Sequence, residues 1–161
     1  MRTLSEHRGS HGAAAIGRQL MVMGGGGMRA NLSSMEALDT HAGAGAGGAG
    51  GEAAASGWGP APSMLTPRHA FAIAHYKRAT DGKTVLFASG GWAYGSVCVG
   101  AVECFTEGDS EWRGCAALTT PRRLHGAACD PAAADGALLV FGGSVGNGAV
   151  DAKIKVILHT T

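Results

Sequence analysis

The stretch TVLFASGG, residues 84–91, joins an apolar run to a pair of glycines. Two other segments repeat this arrangement, QLMVMGG at residues 19–25 and LLVFGG at residues 138–143. Short apolar runs bounded by turn residues are typical of β-strands, and paired glycines adopt backbone conformations that other residues avoid. The recurrence predicts that the chain is built from three copies of one strand-containing unit.

The flanks of the glycine pairs also recur. Each copy begins with a histidine-containing lead-in and a first short strand, at His11, His69 and His125. A polar loop and an alternating segment follow each glycine pair, at residues 34–40, 102–106 and 151–157. In the first two copies a tryptophan then begins a last apolar stretch, at Trp58 and Trp112. Since alternation with a period of two indicates strands, a complete copy is expected to hold four short strands in an all-β protein.

This pattern resembles the kelch repeat, which has roughly 50 residues and forms one blade of a β-propeller. The best copy is VECFTEGDSEW, residues 102–112, while the first copy has Leu38 where the family has an aromatic residue. The resemblance implies a partial kelch β-propeller over residues 1–161, with about three four-stranded antiparallel blades, the last one incomplete. The expected blades are residues 8–64, 65–118 and 119–161, and Trp58 and Trp112 are expected to fill the gaps between blades.

An Ala/Gly-rich segment, residues 41–57, separates the third and fourth expected strands of the first blade. Its side chains are almost all no larger than a methyl group, so it buries too little surface to offset the entropy of ordering. We therefore predict a flexible insert at residues 41–57.

Composition and charge restrict the kinds of partner. The formal net charge is +1, and the basic residues form no long run, which argues against nucleic acid and membrane as partners. Neither an apolar stretch long enough to cross a bilayer nor a secretion signal is found. With four cysteines that form no CxxC pair, reduced thiols and a location in the cytoplasm or nucleus are expected.

Motifs for catalysis are missing from the sequence. It has no HExxH, GxSxG or phosphate-binding loop pattern, and the repeated histidines are expected to be strand residues rather than ligands. We expect no catalytic residue, no metal and no cofactor. A propeller enzyme such as an oxidase remains an alternative, since a fold alone does not decide function.

The kelch resemblance implies that a partner protein or acidic peptide binds through the loops on one propeller face. Exposed aromatic residues beside arginines are typical of interaction hot spots. The candidate binding residues are Arg29, Asn31, Arg68, Trp92, Tyr94, Arg122, Arg123 and Asn147.

The resemblance leaves two binding roles open. The chain could present substrates as a ubiquitin-ligase adaptor, or it could be a structural module of cytoskeletal assembly. Propellers close into rings of roughly four to eight blades. About three blades are too few, so the chain is expected to be a piece of a larger ring or to close one by self-association.

Overall fold

The computed structural model describes residues 3–41, 57–95, 97–130, 132–133, 136–146, 149 and 154–158. The described residues form β-strands, turns and loops, which confirms the predicted all-β class. In chain order the strands are β1 (Gly12–Ile16), β2 (Gln19–Met23), β3 (Met35–Asp39), β4 (Gly59–Ala61), β5 (Ala72–Lys77), β6 (Thr84–Ser89), β7 (Trp92–Ala93), β8 (Val97–Cys98), β9 (Val102–Thr106), β10 (Arg113–Cys115), β11 (Arg122–Arg123), β12 (Gly126–Asp130), β13 (Ala137–Phe141), β14 (Ser144–Val145) and β15 (Ile154–Leu158).

Three antiparallel sheets correspond to the three sequence copies. Repeat 1 is a four-stranded sheet in the order β1-β2-β3-β4, and repeat 2 has the order β5-β6-β9-β10. Repeat 3 has the order β12-β13-β15 among the described residues. None of these sheets closes on itself within the described part of the chain. Two further two-stranded ladders, β7-β8 and β11-β14, were not expected from the sequence.

The strand registers of the three repeats are equivalent. The residue before each glycine pair faces the first residue of the next long strand: Met23 faces Met35, Ser89 faces Val102, and Phe141 faces Ile154. This equivalence defines which residues are counterparts in different repeats. The segment inserted into repeat 1 lies between β3 and β4. Its residues 42–56 lie outside the described residues, so its flexibility stays a prediction.

The glycine pairs have the backbone conformations that their recurrence predicts. Gly90 and Gly91 have φ angles of 60° and 109°, in the left-handed region that favours glycine. A Cβ atom on Gly90 would also lie only 2.5 Å from the carbonyl oxygen of Arg122. The pair is therefore required both by the turn and by the close approach of repeat 3.

The core lies between the sheets. One apolar cluster joins repeats 1 and 2, and a second joins repeats 2 and 3. Trp112 is 2% exposed in the first cluster, and its Nε1 donates to the Pro62 carbonyl at 2.9 Å, which confirms its predicted position between two repeats. Trp58, by contrast, is only half-buried. Among the described residues there is no helix that could cross a membrane.

Candidate interaction surface

The lead-in of each repeat is the short segment that begins at Arg8, Arg68 or Arg122. Each lead-in pairs with the loop that follows the glycine pair of its own repeat. Single bridges join Gly9 to Gly26 and His69 to Trp92. In repeat 3 the same pairing is part of the β11-β14 ladder, where Arg123 faces Ser144. Lead-ins and loops therefore share one side of the molecule, which we call the loop face.

Two candidate arginines lie beneath this face and not on it. Arg68 and Arg122 have no exposed area. Arg68 donates to the carbonyls of Gly90 and Ala101 at 3.1 and 2.7 Å and forms an ion pair with Glu103.

Arg122 donates to the Gly142 carbonyl at 2.7 Å. A partner that approaches the surface cannot reach either side chain, so both arginines have a structural role. Burial lowers the pKa of Arg68, and the Glu103 charge raises it in part.

Three other candidates meet in one cluster. The Arg123 guanidinium lies over the Trp92 ring, with its Cζ 3.3 Å from the ring centroid. Asn31 donates from Nδ2 to the Trp92 carbonyl at 3.0 Å. Because that amide nitrogen is the donor, Asn31 Oδ1 accepts from His69 Nδ1 at 2.8 Å. Asn31, His69, Trp92 and Arg123 thus form a connected group across all three repeats, the Trp92 cluster.

His69 was not among the predicted site residues. The sequence predicted that His11, His69 and His125 are equivalent strand residues, and this prediction was wrong: none of them lies in a strand, and the registers make Phe71 the counterpart of His11 and His125. The His69 ring instead has a partner in the loop of repeat 1. Because that partner comes from another repeat, the residues around His69 gave no local signal of the contact.

Exposed apolar side chains surround the Trp92 cluster. Tyr94 is 83% exposed in the turn between β7 and β8, and Leu124 is 68% exposed next to Arg123. Met28 is 88% exposed in the same loop as Asn31, and its neighbour Arg29 is exposed as well. The remaining candidate, Asn147, lies outside the described residues.

A cavity of about 360 Å³ lies between repeats 2 and 3 beside the cluster. It is lined by Val97, Cys98, Thr120, Pro121, Val145 and Gly146. Trp92 faces Cys98 in one ladder, and Arg123 faces Ser144 in the other, so the two ladders hold the stacked pair next to this opening. Arg123 Nε is buried and has no hydrogen-bond partner among the described residues.

The structure also contains a serine–histidine pair that the sequence did not reveal. Ser89 Oγ lies 3.0 Å from His125 Nε2. Burial, together with the Arg122 charge, lowers the pKa of His125 to about 4. Because Ser89 has no exposed area, a substrate cannot reach its hydroxyl, and the pair serves to join repeats 2 and 3.

Metal-binding and disulfide chemistry are not indicated in the described part of the chain. No group of three or more His, Cys, Asp or Glu side chains is placed there to hold a metal ion. The four cysteines are free. The thiols of Cys104 and Cys115 interact across β9 and β10, which raises the pKa of Cys115 and lowers the pKa of Cys104.

Comparison with known proteins identifies no family for this chain. The sequence matches no model of a known protein family, and no curated protein is significantly similar to it.

Proposed function

We propose that this chain is a protein-interaction module of kelch type, whose three repeat sheets are blades of an incomplete β-propeller. Its loop face would bind a segment of a partner protein that carries an acidic side chain. The propeller arrangement is supported by the equivalent strand registers and by sheets that pack on one another in chain order.

The environment of Arg123 is the observation that supports the binding proposal most directly. Its guanidinium is stacked on the Trp92 ring, and its side chain is half-buried, so part of it stays accessible. Among the described residues no carboxylate forms an ion pair with it. A carboxylate is the strongest acceptor for a guanidinium, so a peptide carboxylate on the accessible part of Arg123 would supply the missing partner.

The neighbouring cavity suggests what adjoins the acidic residue. Its lining includes the apolar side chains of Val97, Pro121 and Val145. An aliphatic side chain next to the carboxylate would fill this space and contribute about 25 cal/mol for each Å² of apolar area buried. The proposed ligand is thus an acidic residue beside an aliphatic one, with exposed Tyr94 available as a further contact.

Selection from a displayed random-peptide library on the purified chain tests this proposal. We expect enrichment of Asp or Glu next to an aliphatic residue. Arg123→Ala should weaken the selected peptides by at least about tenfold, since a hydrogen bond to a charged group contributes roughly 1.5–3 kcal/mol. Trp92→Ala combined with Tyr94→Ala should leave the protein folded and abolish binding.

Arg18→Ala is the matched control. Arg18 lies in the turn between β1 and β2, at the opposite end of the strands from the loop face, and its side chain is 62% exposed. This substitution should leave peptide binding unchanged. Equal binding by the Arg123→Ala and Arg18→Ala proteins would refute a role for the loop face.

The other functions have less support. An oxidase or other propeller enzyme would need accessible catalytic groups, and the Ser89–His125 pair is buried. Adaptor and assembly roles are both binding roles, and the same face would serve either one. Location in the cytoplasm or nucleus remains part of the proposal.

A further inference from the structure

The two sheet junctions of the chain are built from the same positions. At the first junction Met21 and Met23 of repeat 1 belong to one cluster with Leu86, Phe105 and Trp112 of repeat 2. Side chains alternate along a strand, so Leu20 and Leu38 lie on the other side of repeat 1. Each sheet therefore has one face for the repeat before it and one for the repeat after it.

The strand registers identify the outer faces of the described sheets. Leu20 faces Leu38 as Leu86 faces Phe105, and Trp58 is the counterpart of Trp112. We call the surface formed by Leu20, Leu38 and Trp58 the head face. On repeat 3, Leu139 and Phe141 are the counterparts of Met21 and Met23, and they form the tail face.

Apolar groups on both faces are exposed where their counterparts are buried. Leu20 and Phe141 are each 41% exposed, whereas Leu86 and Met23 have no exposed area. Trp58 is half-buried, whereas Trp112 is 2% exposed. The head and tail faces thus present the two halves of a junction that the chain makes twice internally.

Backbone hydrogen bonds at the junctions repeat in the same way. Gly25 donates to the Arg68 carbonyl at 2.8 Å, and Gly91 donates to the Arg122 carbonyl at 2.8 Å. Ala70 donates to the Ser10 carbonyl at 2.9 Å, and Leu124 donates to the Ala70 carbonyl at 2.9 Å. The next bonds in the two series would join Gly143 to an Arg8 carbonyl, and Ser10 to a Leu124 carbonyl, in another molecule.

The tail face also has a vacant slot. A Cβ atom on Gly24 or Gly90 would lie 2.9 or 2.5 Å from the carbonyl of the following repeat's arginine. A Cβ atom on Gly142 would meet no heavy atom of the described residues within 4 Å. Among those residues nothing occupies the space that the arginine carbonyl of a following repeat fills at Gly24 and Gly90.

Side-chain sizes on the two faces compensate. Phe141 is larger than its counterparts Met23 and Ser89. The head face offers His11 and Ala13 at the positions where repeat 2 places Phe71 and Ile73 against repeat 1. The larger side chain on the tail face would thus lie against smaller side chains on the head face, which is what close packing requires.

We propose that a second copy of this chain binds here, with the tail face of each molecule on the head face of the other. Two copies of the described three-sheet unit bring together six repeat sheets, which lies within the roughly four to eight blades of closed propellers. Three chains would exceed that range. The association is therefore a closed dimer with two identical head-to-tail junctions. It rests on the propeller part of the proposed function and does not depend on peptide binding.

Two charge variants test the dimer by light scattering after gel filtration and by sedimentation. The wild-type chain should have twice the monomer mass. Phe141→Asp and Leu20→Arg each place a charge in both junctions, and each should raise the dimer Kd by at least about thirtyfold, since disruption at buried hot spots costs roughly 2 kcal/mol or more.

Mixing the two variants gives the decisive result. In the mixed dimer one junction pairs the aspartate introduced by F141D with the arginine introduced by L20R, and the other junction is wild type. Mixing should restore the dimer at a protein concentration at which each variant alone is mainly monomeric. Circular dichroism of each variant monitors folding, and the wild-type mass across a concentration series decides the question even where a variant does not fold.

Tyr94→Asp is the control for an exposed apolar residue outside both faces. It should remain a dimer while losing peptide binding, so that failure of one proposal is distinguishable from failure of the other. A wild-type monomer at all concentrations, assemblies larger than a dimer, or no recovery on mixing would overturn the proposal.

Discussion

Adjacent arginines in this chain have opposite environments. Arg122 has no exposed area, while Arg123 reaches the loop face and stacks on Trp92. The position of Arg122 holds a buried arginine in all three repeats, since the side chains of Arg8 and Arg68 are also fully buried. Arg8 pairs with Glu36, and Arg68 pairs with Glu103. In repeat 3 the counterpart of the glutamates is Lys155, so that position cannot supply a carboxylate.

His125 makes stability depend on pH. Its folded pKa is about 4, below the ordinary value of 6.5, because burial and the Arg122 charge oppose protonation. As pH falls from about 6.5 to 4, the unfolded chain binds a proton that the folded chain excludes, so the free energy of unfolding should fall by up to about 3 kcal/mol. Below pH 4 this contribution should level off.

Urea denaturation at several pH values measures this effect. His125→Gln should flatten the dependence between about pH 6.5 and 4. His75→Gln, at an exposed histidine, should not change it. An identical pH dependence in wild type and His125→Gln would show that another group is responsible.

At the scale of elements, unusual backbone positions recur with the arginines. Ser10, Ala70 and Leu124 each follow a lead-in arginine by two residues and have φ angles of 51°, 53° and 53°. Such conformations cost of order 1–3 kcal/mol for residues other than glycine. They persist here because the three residues are joined by hydrogen bonds from one repeat to the next.

Gly90→Ala tests the close approach of neighbouring elements. The substitution adds a Cβ atom 2.5 Å from the Arg122 carbonyl at a residue with φ of 60°. The free energy of unfolding should fall by more than about 2 kcal/mol, because both the conformation and the clash are unfavourable. Chemical denaturation measures the change.

Gly114→Ala is the matched control in β10, where an added Cβ atom would meet no described atom within 4 Å. Its stability should stay within about 0.5 kcal/mol of wild type or increase slightly. Equal effects of the two substitutions would contradict the requirement for glycine at position 90.

At the scale of the whole molecule, stability comes from junctions between sheets and not from within one sheet. The first junction includes Trp112 of repeat 2, which packs in one cluster with Met21 and Met23 of repeat 1. The second includes Phe87 and Leu138, which come from different repeats. Residues far apart in the chain thus share each core, and single repeats would leave these faces in water.

Trp112→Ala should therefore destabilise the protein far more than Trp58→Ala. Loss of the fully buried ring should cost about 3–5 kcal/mol. Trp58 is half-buried, so its loss should cost roughly 1 kcal/mol in the monomer. Urea denaturation at low protein concentration compares the two, and similar losses would place the two tryptophans in equivalent surroundings.

Local residue order was sufficient to predict the all-β class and the positions of the glycine pairs. Alternation specifies strands, and a left-handed turn specifies glycine, so both signals lie within a few residues of each other. The kelch resemblance, and not local residue order, selected Asn31, Trp92 and Arg123, which the structure brings together, and it led us to expect Trp112 between repeats.

Only the tertiary structure decided which arginines are buried, where the cavity lies and which outer faces are exposed. Arg68 and Arg122 were selected with Arg123 because all three stand in lead-ins. The burial of Arg68 and Arg122 depends on carbonyls and on the Glu103 carboxylate, which lie 20 to 35 residues away in the chain. Whether a side chain is buried depends on the residues that pack against it. The sequence of one repeat does not specify the neighbouring repeat that covers it, so burial could not be predicted from the sequence.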